Sequence, residues 1–287
     1  TGLSQRTIGV GLAGLADVYA ILDLPFISEK SKEINKKIME SIYYGTILKS
    51  CELASKTKIK KTNSKINDTL LAKGKFHWEY YDDVEITLDW DNLREGIKKY
   101  GVFNSLFCCL MPTAGTSILL SCNEMFEPFM YNLVIRETLG GEFVIINKYL
   151  VKDLEAIGLW TPDVRQDIII NNGSIQNIDF HSMTQSSDIL IEDGRIEFLK
   201  EKYKTIWEIS QKELINMASD RQPFLDQSQS LNLYISDPSY SKLANALIYG
   251  WTKNLKTGSY YIRTESKLNT NKNLAIKIEK KKEKPKD

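Results

Sequence analysis

The sequence predicts an α/β fold, with parallel strands inside and helices outside. Three stretches carry that expectation. Leu106-Phe-Cys-Cys-Leu-Met111 is an unbroken apolar run with Pro112 behind it, the pattern of a strand covered on both faces of a parallel sheet. Leu231, Leu233 and Ile235 alternate with Asn232 and Tyr234, which is a strand pattern. Leu243, Leu247, Trp251 and Leu255 then recur at helical spacing, and Tyr260 to Arg263 reads as a further strand. The last third therefore holds a β-α-β unit, whose strands lie parallel.

The other elements follow in order. Ile8 to Leu15 is apolar and glycine-spaced. Ser28 is placed to cap a long helix, with Glu29 in its first turn. Ile34, Ile38, Ile42, Ile47, Cys51 and Ala54 mark the buried side of that helix. The polar, basic stretch 56–67 reads as a loop, and the aromatic stretch Phe76 to Tyr81 as a segment lying against the body. Trp90 to Tyr100 is a short helix ended by Gly101. Glu142 to Ile146 reads as a strand, and Leu150 to Leu159 and Asp163 to Asn171 as helices, with a turn at Asn172-Gly173. Leu199, Tyr203, Ile206, Trp207, Leu214 and Met217 keep helical spacing and predict one helix that ends before Pro223. Asp237-Pro238 is the expected start of the next helix, with Gly258 as its C-terminal glycine.

Length and composition bound the function. The chain has 287 residues, 42% of them apolar, enough for one large unit with a substantial core. That unit is expected over 1–266, followed by a basic, disordered tail over 267–287. The formal net charge of +1 gives no general basic field for nucleic acid. No apolar run reaches the length of about 18 residues that a membrane span needs. There is no signal-peptide pattern, and the chain opens on Thr1 rather than Met, as a piece of a longer polypeptide or a product of a split gene would. Cys51, Cys108, Cys109 and Cys122 form no Cys-x-x-Cys pair, and His77 and His181 are the only histidines. A Cys/His metal site is therefore not expected, and the cysteines read as reduced, in a cytoplasmic protein.

Four segments bear on chemistry. Met111-Pro-Thr-Ala-Gly-Thr116 follows the apolar run directly, and its small residues let backbone N–H groups approach a ligand. With a helix starting near Ser117, this is an anion site, most naturally for phosphate. The competing reading is a helix start capped by its own threonine. Gly9-x-Gly11-x-x-Gly14 matches the dinucleotide fingerprint, but the acid that should end a second strand falls at the start of a long helix. A nicotinamide dehydrogenase is thereby disfavoured, and the glycines are assigned to close packing. Glu124 and Glu127 read either as a general acid/base pair or, the favoured reading, as supports for the loop after Pro112. Tyr260-Tyr261 are adjacent on a strand, where neighbours normally point to opposite faces. They are either packed aromatics or, if stacked, phenols able to pass a radical.

These segments resemble, in order and over nearly the whole chain, the large subunit of class I ribonucleoside-diphosphate reductases of the eukaryotic and viral type. The resemblance runs from Gly9-Val-Gly-Leu-Ala-Gly-Leu-Ala-Asp17 through Ile42-Tyr-Tyr-Gly45, Asn123-Glu-Met-Phe-Glu-Pro128 and Gly141-Glu-Phe143. It continues through Asn172-Gly-Ser-Ile-Gln176, Asp226-Gln-Ser-Gln-Ser-Leu-Asn232 and Tyr249-Gly-Trp251 to the tyrosine pair. It implies the second half of a ten-stranded α/β barrel. It implies that Thr113, Ala114, Gly115 and Thr116 hold the diphosphate of a ribonucleoside diphosphate and that Tyr260 and Tyr261 transfer a radical. The family usually has serine where Gly115 stands. The radical and reducing cysteines of the family belong to a half that this chain lacks.

Expected partners are that half, a small subunit with a di-iron tyrosyl radical, thioredoxin or glutaredoxin, and a further copy of the subunit. ATP and dNTP effectors are expected on the full-length subunit, and no cofactor on this chain. A catalytically inactive, reductase-like scaffold is the alternative, favoured by Gly115, the missing cysteine motifs and the polar stretch 179–193.

Overall fold

The computed structural model describes residues 2–57, 64–138, 141–180, 182 and 194–265. The expected tail, His181 and most of the 179–193 stretch lie outside the described residues.

Four short runs form one parallel ladder. Val10 bridges Cys108, and Leu110 bridges Gln229, both parallel. Leu233–Tyr234 then pairs in parallel with Ile262–Arg263. The runs 8–10, 106–110, 227–235 and 260–263 thus lie side by side in chain order. Each connection passes through at least one helix, so the predicted parallel α/β arrangement holds.

The long helix Glu29–Thr57 starts as predicted, with Ser28 Oγ accepting the Ser31 N–H at 3.1 Å. Ile47, Cys51 and Ala54 are buried as expected, but in the first half of the helix the buried stripe is offset from the isoleucine row. It includes Asn35, Met39, Glu40, Tyr43, Ile47, Ser50 and Cys51, whereas Ile34, Ile38 and Ile42 sit at the core margin. The buried polar members are satisfied. Glu40 accepts the Thr87 and Leu88 N–H groups, the Thr87 hydroxyl and the Trp90 indole N–H at 2.6–3.1 Å. Helix Trp90–Tyr100 packs against this long helix and ends at Gly101, whose φ of 78° suits glycine.

Several expectations are corrected. The run Leu106–Met111 is not covered on both faces: Phe107, Cys108 and Leu110 are buried, but Leu106 and Met111 are exposed. Strand Gly141–Ile146 exists, but it forms an antiparallel hairpin with Leu133–Thr138, apart from the parallel ladder. The single helix expected from Leu199 to Met217 is two, Arg195–Lys202 and Gln211–Arg221. Tertiary partners claim the backbone between them. Asn132 Nδ2 donates to the Tyr203 carbonyl at 2.8 Å, and the Ile206 N–H donates to the Phe129 carbonyl at 2.9 Å. The next helix, Tyr240–Thr252, is capped by Ser239 rather than Asp237. The left-handed residue after it is Asn254 (φ 58°), not Gly258. Lys256 donates to the Leu225, Asp226 and Gln227 carbonyls at 2.7–3.1 Å.

Two apolar cores result. The larger lies between the ladder and helices Glu29–Thr57, Trp90–Tyr100 and Gln211–Arg221. The smaller fills the excursion between the second and third runs, around Leu150, Leu154, Ile168 and Leu199. Lys202 ties this excursion to the body, donating to Asp23 at 2.6 Å and Asp153 at 2.7 Å.

The glycine pattern near the start serves packing. A Cβ on Gly11 would stand 2.6 Å from the Cys109 carbonyl oxygen, and one on Gly9 would stand 3.3 Å from Cys109 Cβ. Gly11→Ala must therefore push two paired runs apart. The expected cost is about 1–3 kcal/mol, read as a lower denaturant midpoint of the full-length subunit, and an unchanged midpoint would contradict it.

Candidate functional site

Pro112 ends the second run, since it has no N–H to donate. A seven-residue helix, Ala114–Leu120, follows. Thr113 precedes it, but its side chain does not cap the helix. Thr113 Oγ1 instead accepts the Met125 N–H at 2.8 Å. The first bond within the helix runs from the Ser117 N–H to the Thr113 carbonyl at 2.7 Å. The amides of Ala114, Gly115 and Thr116 therefore have no partner within the helix. All three residues are exposed, and a Cβ on Gly115 would meet nothing within 4 Å. Ser117, by contrast, is buried and spends its hydroxyl on the Ala114 carbonyl.

The segment Asn123–Pro128 braces this loop. The Asn123 N–H donates to Asp17 Oδ2 at 2.6 Å, and Asn123 Nδ2 donates to the Glu127 carbonyl at 2.6 Å. Glu127 itself faces the third run. Its carboxylate accepts Asn232 Nδ2 at 2.6 Å and the Tyr234 hydroxyl at 2.7 Å. Burial pushes the Glu127 carboxyl above the usual range, against the pull of those two hydrogen bonds. Of the two acids read as loop supports, Glu127 is thus a link between the loop segment and the sheet.

Tyr260 and Tyr261 both stand on the last run, with ring centroids 4.3 Å apart and planes at 57°. They are 50% and 52% exposed, which makes them surface groups of this chain rather than core aromatics. The neighbouring Tyr261 phenol raises the Tyr260 phenol pKa. Adjacent strand residues should not stack, and the backbone explains why these do. The Leu233 N–H donates to the Tyr261 carbonyl at 2.9 Å, so a regular parallel ladder would give the Leu231 carbonyl to the Tyr261 N–H. The Tyr260 N–H takes that carbonyl instead, at 2.6 Å. The displaced Tyr261 N–H donates to Asn232 Oδ1 at 3.1 Å. Two residues thus oppose one, which is a bulge, and it turns both rings to the same side.

The register relates the two groups. Leu110 pairs with Gln229, so two residues on Pro112 is level with Leu231, the residue that Tyr260 contacts. One run lies between them, a lateral separation of about 10 Å at ordinary strand spacing. Loop and phenols therefore share one end of the ladder.

A layer of buried polar groups behind the third run had no local signal in the sequence. Arg221 Nε donates to Gln229 Oε1 at 2.8 Å, Arg221 Nη1 donates to Asn35 Oδ1 at 3.3 Å, and the guanidinium lies 3.9 Å from the Phe126 ring centroid. Burial pushes the Arg221 pKa down to about 9. His77 packs against the body: its ring Nδ1 meets the Pro223 carbonyl at 2.9 Å, and burial pushes its pKa down to about 4. Cys108 is buried and its thiol is pushed up to about 12, so it is inert as a nucleophile. Among the described residues, no group of three or more His, Cys, Asp or Glu side chains is arranged to hold a metal, and no helix is long and apolar enough to cross a membrane.

Parallel runs in sequential order, helical crossovers and a loop-and-phenol end define part of an α/β barrel. The family model described as "Ribonucleotide reductase, barrel domain" matches residues 1–261, and the chain belongs to that ribonucleotide reductase family. It is 43% identical over 268 residues to the ribonucleoside-diphosphate reductase large chain of Cryptosporidium parvum, covering 93% of this chain and 31% of that one. Large chain 2 of Saccharomyces cerevisiae is 42% identical over 267 residues, covering 93% of this chain and 29% of that protein. Among solved structures, the class Id ribonucleotide reductase alpha subunit of Actinobacillus ureae aligns with a TM-score of 0.65 at 25% identity, over 91% of this chain and 39% of that chain. The chain thus spans about a third of the length of the relatives it matches.

Proposed function

We propose that this chain is the part of a ribonucleoside-diphosphate reductase large subunit that holds the substrate's diphosphate and delivers the radical. The amides of Ala114, Gly115 and Thr116 and the Thr113 and Thr116 hydroxyls donate to the phosphate oxygens. Tyr260 and Tyr261 pass the oxidising equivalent inward, each losing an electron with its phenolic proton and regaining both. The observation that carries this reading is the register that sets Pro112 level with the Tyr260 contact at Leu231.

The partners follow from that role. The cysteine that abstracts the 3′ hydrogen, and the pair that supplies two electrons, belong to the rest of the barrel. Exposed apolar groups support such a covering half: Ile118, Leu119 (86% exposed) and Leu120 on the loop helix, and Ile8, Val10, Leu106 and Met111 on the ladder. The di-iron centre and its tyrosyl radical are assigned to a small subunit that docks near the phenols. Thioredoxin or glutaredoxin, nucleotide effectors and self-association belong to the full-length subunit.

The loop assignment is tested by Gly115→Ser in the assembled enzyme. The space around Gly115 admits the hydroxymethyl group, so folding is unchanged. One added hydrogen bond of about 0.5–1.5 kcal/mol lowers the KM for a ribonucleoside diphosphate by roughly 2- to 12-fold. Thr116→Phe, which crowds the same amides, raises KM and spares the radical step. An unchanged KM in both variants would remove the assignment.

A further inference from the structure

We infer that Asn232 is the positioning residue of the tyrosine pair, and that Glu127 fixes the orientation in which it works; this rests on the relay reading above. A side-chain amide has a donor end and an acceptor end. Glu127 as a carboxylate accepts only, so it draws Nδ2 of Asn232 to itself at 2.6 Å. That leaves Oδ1 facing the Tyr261 N–H at 3.1 Å. Tyr234 holds the second carboxylate oxygen at 2.7 Å, so the carboxylate cannot swing away. Asn232, Glu127 and Tyr234 are only 3%, 7% and 3% exposed, and water does not readily replace any of these bonds.

The consequence is geometric. Without an acceptor at Asn232, the Tyr261 N–H regains a protein partner by taking the Leu231 carbonyl from Tyr260. That restores the regular ladder and sends the two rings to opposite faces. The bulge that stacks the phenols therefore persists because one amide supplies the missing acceptor. The arrangement also couples the two halves of the site. The segment that presents Glu127 is the one whose Met125 N–H holds Thr113.

The test uses the full-length large subunit assembled with its small subunit. Asn232→Leu alone would strand a buried carboxylate, so it is made together with Glu127→Met. This pair is expected to fold and to keep its KM, while kcat falls roughly 100-fold, the usual scale for a misplacement of about 1 Å. Asn232→Ala, likewise made together with Glu127→Met, shows the same split should the first double variant not fold. Glu127→Gln can offer Asn232 either an acceptor or a donor, so the fixed orientation is lost and kcat falls while KM is kept; an unchanged kcat would remove Glu127 from the inference. As a spectroscopic readout, 3-aminotyrosine at position 261 traps the radical. Its EPR amplitude drops with the Asn232 substitutions, which a purely structural role would not produce in a folded, substrate-binding enzyme. Near-parent kcat and EPR amplitude in the Asn232 variants, with Tyr261→Phe inactive, would overturn this inference and leave the relay standing. An active Tyr261→Phe enzyme would overturn the relay itself, and the inference with it.

Discussion

Replacing Tyr260 or Tyr261 by Phe stops turnover of the assembled reductase while its fold and its nucleotide affinity survive. The substitution removes one oxygen and keeps the ring. Both side chains are about half exposed, so neither anchors the core. Surface changes of this kind ordinarily alter stability by no more than about 0.5 kcal/mol. The contacts that fix the last run are backbone bonds, to Leu231 and from Leu233 and Ile235, and the substitution leaves them intact. What is lost is the phenolic O–H, without which the ring cannot release an electron and a proton together. Initial rates, a melting curve and nucleotide binding on the same preparations check this. Turnover retained by either variant would remove the relay assignment, whatever the melting curves show.

Arg221→Ala carries the largest expected cost in stability. The guanidinium is fully buried, stacked on Phe126 and hydrogen-bonded to Gln229 and Asn35. Its removal leaves a cavity between the helix Gln211–Arg221 and the third run and strands two amide oxygens. Together these are expected to cost about 3–5 kcal/mol, the range for emptying the site of a large buried side chain. Arg221→Met, which fills the space without the charge, recovers part of that. Denaturant unfolding of the full-length subunit measures both, and a midpoint for Arg221→Ala equal to the parent would show that the buried polar layer contributes nothing.

The legible parts of the fold are those whose causes are local. Helix Trp90–Tyr100 was readable because its apolar face and its terminating Gly101 lie within the element. The cap at Ser28 and the loop after Pro112 were readable for the same reason. The break between Lys202 and Gln211 was not, because Tyr203, Ile206 and Trp207 continue a helical spacing that distant groups at Phe129 and Asn132 override. The polar core was hidden likewise: Asn35 looks like a surface residue of an amphipathic helix, yet it donates to the Met217 carbonyl at 2.9 Å.

In the candidate site, residue types pointed to the loop and to the tyrosines, but not to their support. A strand of alternating residues predicts tyrosines on opposite faces. Only the register shows the bulge, and only the fold brings Glu127 to Asn232. The sole sequence hint is that the two residues sit in the motifs Asn123–Pro128 and Asp226–Asn232, which the fold joins through the Asn232 amide donating to the Glu127 carboxylate.

The most direct test of the loop and relay assignments is a structure of the assembled large subunit with a ribonucleoside diphosphate bound. Diphosphate density against the amides of Ala114, Gly115 and Thr116, with the Tyr260 and Tyr261 rings bordering the cavity that holds the ribose, is the predicted result. Density for the diphosphate at a different surface, with those amides turned to solvent and the rings outside the ribose cavity, would contradict it.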